Sequence, residues 1–135
     1  MKKRLCAMFL LVASCFVIFA NASGIVPLWD NIQRLYTALD IDNNTAYCDL
    51  IVTGQSGTSR IEADIVLQMQ NSRGSYTNQH AWPTQVVYDT YFTFTDTVSN
   101  LTTGNKYRLK VTVTVYNANG VPETETVYSN VRTCD

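Results

Sequence analysis

From residue 46 onward the chain returns again and again to one pattern, an apolar side chain at every second position. Ala46, Cys48, Leu50 and Val52 alternate with Tyr47, Asp49, Ile51 and Thr53. Ile61, Ala63, Ile65, Leu67 and Met69 alternate with Arg60, Glu62, Asp64, Val66 and Gln68, and Tyr107, Leu109, Val111, Val113 and Val115 with Arg108, Lys110, Thr112 and Thr114. Successive side chains of an extended strand point to opposite faces, so each run predicts a strand with one core face and one wet face. Tyr91 to Val98 gives another, with Phe92, Phe94 and Val98 inward, and Thr124 to Thr133 closes the series. Gln79 to Tyr88 reads as a short edge strand, because Pro83 has no amide hydrogen to give to a ladder. Ile32 to Ile41 is the least regular: Gln33 to Leu39 would also satisfy two helical turns, and we assign it as a strand.

Turn residues punctuate these runs. Gly54-Gln55-Ser56-Gly57 follows the second strand, and Asn117-Ala118-Asn119-Gly120 supplies residues that tolerate the positive φ a tight hairpin demands. Asn71 to Asn78 reads as a polar loop. About seven short strands and no convincing helix predict an all-β fold, an antiparallel β-sandwich over residues 32–135 with 23–31 as a lead-in.

The N-terminus has a different character. Lys2, Lys3 and Arg4 precede an apolar run from Leu5 to Ala20, and small residues follow at Ala20 and Ala22. This is the pattern of a secretory signal helix, residues 1–22, cut after Ala22. Retention as a membrane anchor and lipidation at Cys15 are the alternatives; against the second, Phe16 to Phe19 stay apolar where a lipoprotein turns polar. No later stretch is long and apolar enough to span a bilayer as a helix. Cleavage removes three of the ten basic residues and none of the eleven acidic ones. The acidic balance argues against nucleic acid as a partner, since phosphate binding needs a basic face.

Cleavage also leaves two cysteines, Cys48 and Cys134. In an oxidising compartment they suggest a bridge, which would close a loop of about 87 residues and contribute about 4 kcal/mol in the chain-entropy model. Two free thiols, Cys48 buried and Cys134 frayed, fit the sequence equally well.

Little in the sequence suggests chemistry. The sole histidine, His80, has no marked nucleophile beside it, and Asp49, Glu62 and Asp64 fall on outward faces. Asp40-Ile41-Asp42-Asn43-Asn44 starts like a calcium loop, but Thr45 and Ile51 stand where its glycine and bidentate acid belong, so a polar turn is the better reading. No metal, cofactor or enzymatic activity is expected. Asn71 to Trp82 has the Tyr, Asn, Ser, Gly, Arg and Trp content of contact surfaces. Arg73, Tyr76, His80 and Trp82 are therefore candidate contacts for a protein or carbohydrate at the cell surface. The competing reading is that Tyr76 and Trp82 cap the core at the sheet's open edge.

Leu101, Gly104 and Tyr107, each three residues after the last, lie immediately before and at the head of the most regular strand. This spacing resembles the tyrosine corner of fibronectin type III domains, immunoglobulin-like sandwiches in which the tyrosine hydroxyl bonds back to upstream backbone. Thr103 stands where that family has proline, and the run Ala46 to Thr53 lacks the family's early core tryptophan. Tyr107 to Thr114, with Glu125-Thr126 and Ser129, also looks like a group of small signal-bearing proteins of Gram-positive bacteria built from one such sandwich. That resemblance implies a fold and no activity. The expectation is a secreted or envelope-associated binding module; a structural envelope protein, or an inhibitor or effector presenting residues 71–82, are the alternatives.

Overall fold

The computed structural model describes residues 29–135; the signal helix expected over 1–22 and residues 23–28 of the lead-in lie outside the described residues. Nine strands run in chain order: β1 Ile32–Asp42, β2 Thr45–Gly54, β3 Arg60–Gln70, β4 Tyr76–Ala81, β5 Gln85–Val87, β6 Tyr91–Val98, β7 Lys106–Tyr116, β8 Pro122–Tyr128 and β9 Arg132–Thr133. All pairing is antiparallel. One sheet has the order β1-β2-β6 and the other β4-β3-β7-β8, with β5 alongside β3 and β9 alongside β7. The described chain is thus all-β and sandwich-like.

The core lies between the two sheets. Ala46, Cys48, Leu50 and Val52 of β2 meet Ile61, Ala63, Ile65 and Leu67 of β3 and Leu109, Val111, Val113 and Val115 of β7, all essentially without solvent contact. Each such aliphatic side chain contributes about 1.5 to 3 kcal/mol by leaving water. A one-residue slip would turn that whole set outward, so the ten-pair β3–β7 register from Arg60↔Tyr116 to Met69↔Tyr107 is strongly fixed.

Three expectations about extent need correcting. The 71–78 loop ends at Ser75, and Tyr76 already begins β4. The 79–88 edge strand is broken into β4 and β5 around Trp82-Pro83-Thr84, where proline interrupts the ladder. The closing strand is broken too, because Ser129 turns in to bond Leu109 through both its amide and its hydroxyl before β9 resumes. The helix-like spacing of β1 also has a local cause. A bulge between Ile32 and Arg34 shifts the alternation by one residue, so Ile32 and Leu35 face the core three apart.

Two hairpin tips share one device. In Asn71-Ser72-Arg73-Gly74-Ser75 the Asn71 side chain accepts from the amides of Arg73 and Ser75, and Gly74 takes φ +84°. In Asn117-Ala118-Asn119-Gly120-Val121 the Asn117 side chain accepts from Asn119 and Val121, and Gly120 takes φ +77°. Asparagine replaces missing ladder partners and glycine takes the left-handed position at no steric cost. The β1–β2 hairpin instead turns on Asn43 and Asn44, both at positive φ, the two-residue loop whose twist matches that of the strands.

The ends of the domain are tied down by polar contacts. Glu123 of β8 accepts from the amides of Asp30, Asn31 and Ile32, while Asn31 donates to the carbonyls of Val115 and Val121. At the other end the buried Tyr107 hydroxyl accepts from the amide of Thr102 at 3.0 Å. Gly104 and Asn105 exchange backbone bonds with Cys134, and the Asn44 amide group reaches Leu101, Thr103 and the Cys134 sulfur. Replacing Tyr107 by Phe removes an acceptor from a half-buried amide. We expect a loss of about 1 to 2 kcal/mol in urea-induced unfolding with an unchanged slope; an unchanged midpoint would show that the hydroxyl contributes nothing.

Candidate binding surface

The candidate contacts of residues 71–82 are dispersed by the β3–β4 hairpin. Arg73 stands exposed at its tip. Tyr76 lies opposite Gln70 and Asn78 opposite Gln68, on the outer face. The register then shifts between Leu67 and Gln68, so His80 lies opposite the buried Leu67, on the side facing the other sheet.

Trp82 sits at the open edge between the sheets. Its amide donates to Ile65 O at 3.1 Å, and its ring is edge-on to Phe94 at 5.4 Å and to His80 at 4.6 Å. The indole Nε1 donates to Asp96 Oδ2 at 2.7 Å. Trp82 is half-buried against the core, so at this position the capping reading describes what the side chain does. Asp96 was not singled out in the sequence, although it occupies the inward position between Phe94 and Val98 on β6. Trp82 and the Thr97 amide hold its carboxyl below the ordinary value. A charge facing inward on an edge strand also discourages pairing with a further strand.

The outer face of the β4-β3-β7-β8 sheet carries an organised set of outward-facing side chains. The Arg108 guanidinium lies between two rings, 3.7 Å from the centroid of Tyr76 and 4.2 Å from that of Tyr128. Its Nε donates to Gln68 Oε1 at 3.0 Å, and Gln68 donates onward to Asn78 at 3.1 Å. Tyr128 is nevertheless 49% exposed, so the stack is rigid and open to solvent at once. Along β7 from Arg108, hydroxyl pairs follow at Thr112/Thr126 (3.0 Å) and Thr114/Thr124 (2.9 Å). At the far end, about 26 Å away at roughly 3.3 Å per residue, a second guanidinium, that of Arg60, lies 4.0 Å from the Tyr116 centroid.

Of the sequence-predicted contacts, only Tyr76 belongs to this face; Arg60, Arg108, Tyr116 and Tyr128 join it through cross-strand neighbours. The alternation of β3 and β7 marks Arg60, Arg108 and Tyr116 as outward, but it does not say which rings flank them. The groups of this set are suited to stacking and hydrogen bonding.

Cys48 and Cys134 are both fully buried and carry free thiols in this structure. Burial, with the nearby Asp96 and Asp49 carboxylates, pushes the Cys48 thiol up from 9.0 to about 12.

No protein-family model matches the chain, and no curated protein is similar to it in sequence.

Two outcomes follow. Trp82→Phe keeps an apolar ring but removes the indole donor, so the Asp96 carboxyl should titrate closer to its ordinary 3.8 when followed by carbon NMR; an unmoved titration would show that Trp82 does not hold it. For Cys48, the unfolded chain loses its thiol proton near pH 9 while the folded chain keeps it to about pH 12, so stability falls as pH rises through that window. Below it, the folded thiol should alkylate about a thousandfold more slowly than the unfolded one, and comparable rates would contradict the burial. Absence of label at Cys48 and Cys134 in the denatured, unreduced protein would identify a Cys48–Cys134 bridge instead.

Proposed function

We propose that this chain is a secreted, non-catalytic binding module of the fibronectin type III-like, immunoglobulin-like class, engaging a protein or carbohydrate at the cell surface or in the envelope. Two features support the class. Strand β4 pairs with β3 and not with β6, unlike the fourth strand of a constant-type immunoglobulin domain, which joins the sheet of the first, second and fifth. The Tyr107 hydroxyl bonds back to Thr102 at the crossover between the sheets, as a tyrosine corner does.

The observation that carries the binding role is the Tyr76–Arg108–Tyr128 stack. Tyrosine and arginine dominate the energetically important positions of contact surfaces. Ordering a long arginine on association normally costs about 0.5 to 1.5 kcal/mol. Here two rings and Gln68 order it in the free protein, so a ligand meets a preformed platform of donors and aromatic edges.

Retention of the secreted, labelled protein on intact Gram-positive cells tests this reading. Saturable retention should fall about tenfold or more with Arg108→Ala and Tyr128→Ala together, while the unfolding temperature of the double variant stays close to that of the parent. Absence of saturable retention, or retention indifferent to these substitutions, would sink the assignment of this face.

A further inference from the structure

The two ends of the outer face are built alike but filled differently. At one end Arg108 is covered on both sides by rings. At the other, Arg60 of β3 has Tyr116 of β7 on one flank, and the neighbour on its other flank is Tyr88, one step beyond the Ile61↔Val87 pair of β3 and β5. Tyr88 does not close over the guanidinium: it is 79% exposed, the most exposed large apolar side chain among the described residues. Between these groups lies a recess of about 230 Å³, lined by Ser59, Arg60, Tyr88, Tyr116 and Gly120. The second stack is therefore half-made, with room where its outer layer would be.

The polar groups in and beside the recess decide what that layer is. Arg60 Nε lies 3.2 Å from Glu62 Oε1 without the alignment of a hydrogen bond. Tyr116 OH donates to the other Glu62 oxygen at 3.3 Å. The Ser59 hydroxyl is turned to the Asn117 carbonyl, leaving the arginine and the carboxylate as the principal polar pair. That pair is neutral overall and sets strong donors beside a strong acceptor. An anion would be drawn to Arg60 and repelled by Glu62. A purely aromatic side chain would desolvate both charges and satisfy neither. A pyranose ring avoids both penalties, since it is uncharged, its hydroxyls can accept from the guanidinium, and its C–H face can lie on the Tyr88 ring. The volume is below the roughly 300 to 1,000 Å³ of sites for drug-sized ligands, which suits one sugar ring. At Gly120 no atom lies within 4 Å of where a Cβ would be, so the rim on the hairpin side is open to a longer chain.

We infer that the recess between Tyr88 and Arg60 is a binding subsite for one uncharged pyranose unit of a glycan, stacked on Tyr88 and hydrogen-bonded by Arg60, whose charge the neighbouring Glu62 balances. The inference rests on the reading of the chain as a binding module and names a ligand class for it.

The test is saturation-transfer NMR on the secreted protein with methyl β-glucopyranoside and N-acetylglucosamine as probes at millimolar concentration, and indole as the aromatic competitor. Ring protons of at least one sugar should be saturated. Tyr88→Ala, which removes a side chain that supports no packing, and Arg60→Gln should each lower that signal about tenfold or more, and Tyr128→Ala at the other end should leave it intact. No transfer to either sugar, transfer that survives Tyr88→Ala, or displacement of the sugar by equimolar indole would overturn the inference. Loss of the sugar signal with cell retention still dependent on Arg108 would leave the binding module standing with a different ligand; loss of both would remove the module reading itself.

Discussion

The pairing of β3 with β7 is the constraint on which the rest of this structure depends. Both strands are eleven residues long and alternate with hardly a break, and their inward residues are buried almost completely. An antiparallel sheet with one wet face has a single register that buries such a set, so this pair is pinned by the burial of eight aliphatic side chains. The remaining elements attach to it: β4 and β5 to the free edge of β3, β8 and β9 to that of β7, and the β1-β2-β6 sheet across the core.

The same constraint creates the outer face. If the inward positions are fixed, the outward ones are fixed with them, and Arg60 and Arg108 are held on neighbouring strands at opposite ends of one surface. What surrounds each arginine is set by the edges. Tyr76 and Tyr128 close over Arg108 from β4 and β8. Around Arg60 the edge strand is the short β5, and Tyr88 follows it into solvent. A difference in edge-strand length thus separates a filled stack from an open recess.

The edges also show how the domain avoids further pairing. Pro83 interrupts the β4–β5 edge, Asp96 faces inward on β6, and Pro122 opens β8. Each of these withholds an amide hydrogen or adds a charge where another strand would dock. The proposed binding through the sheet face would leave these safeguards in place, whereas binding through an edge would have to overcome them.

The fold class and the core are legible without the structure, because period-two alternation is a local property: Cys48, Ile65, Val111 and their neighbours are assigned to the buried face one strand at a time. It also marks Asn117 to Gly120 as a hairpin tip; the same Asn-x-x-Gly spacing stands at Asn71 to Gly74. The bulges were not legible. A single inserted residue near Gln33 made β1 resemble a helix, and the shift between Leu67 and Gln68 moved His80 away from Tyr76. The candidate site was mostly hidden for a related reason. Arg108 meets Tyr76 and Tyr128, and Arg60 meets Tyr116, only across strands far apart in the chain. Whether a ring covers a guanidinium or stands off from it depends on strand order and edge length, which are set by how distant strands assemble and not by any one of them.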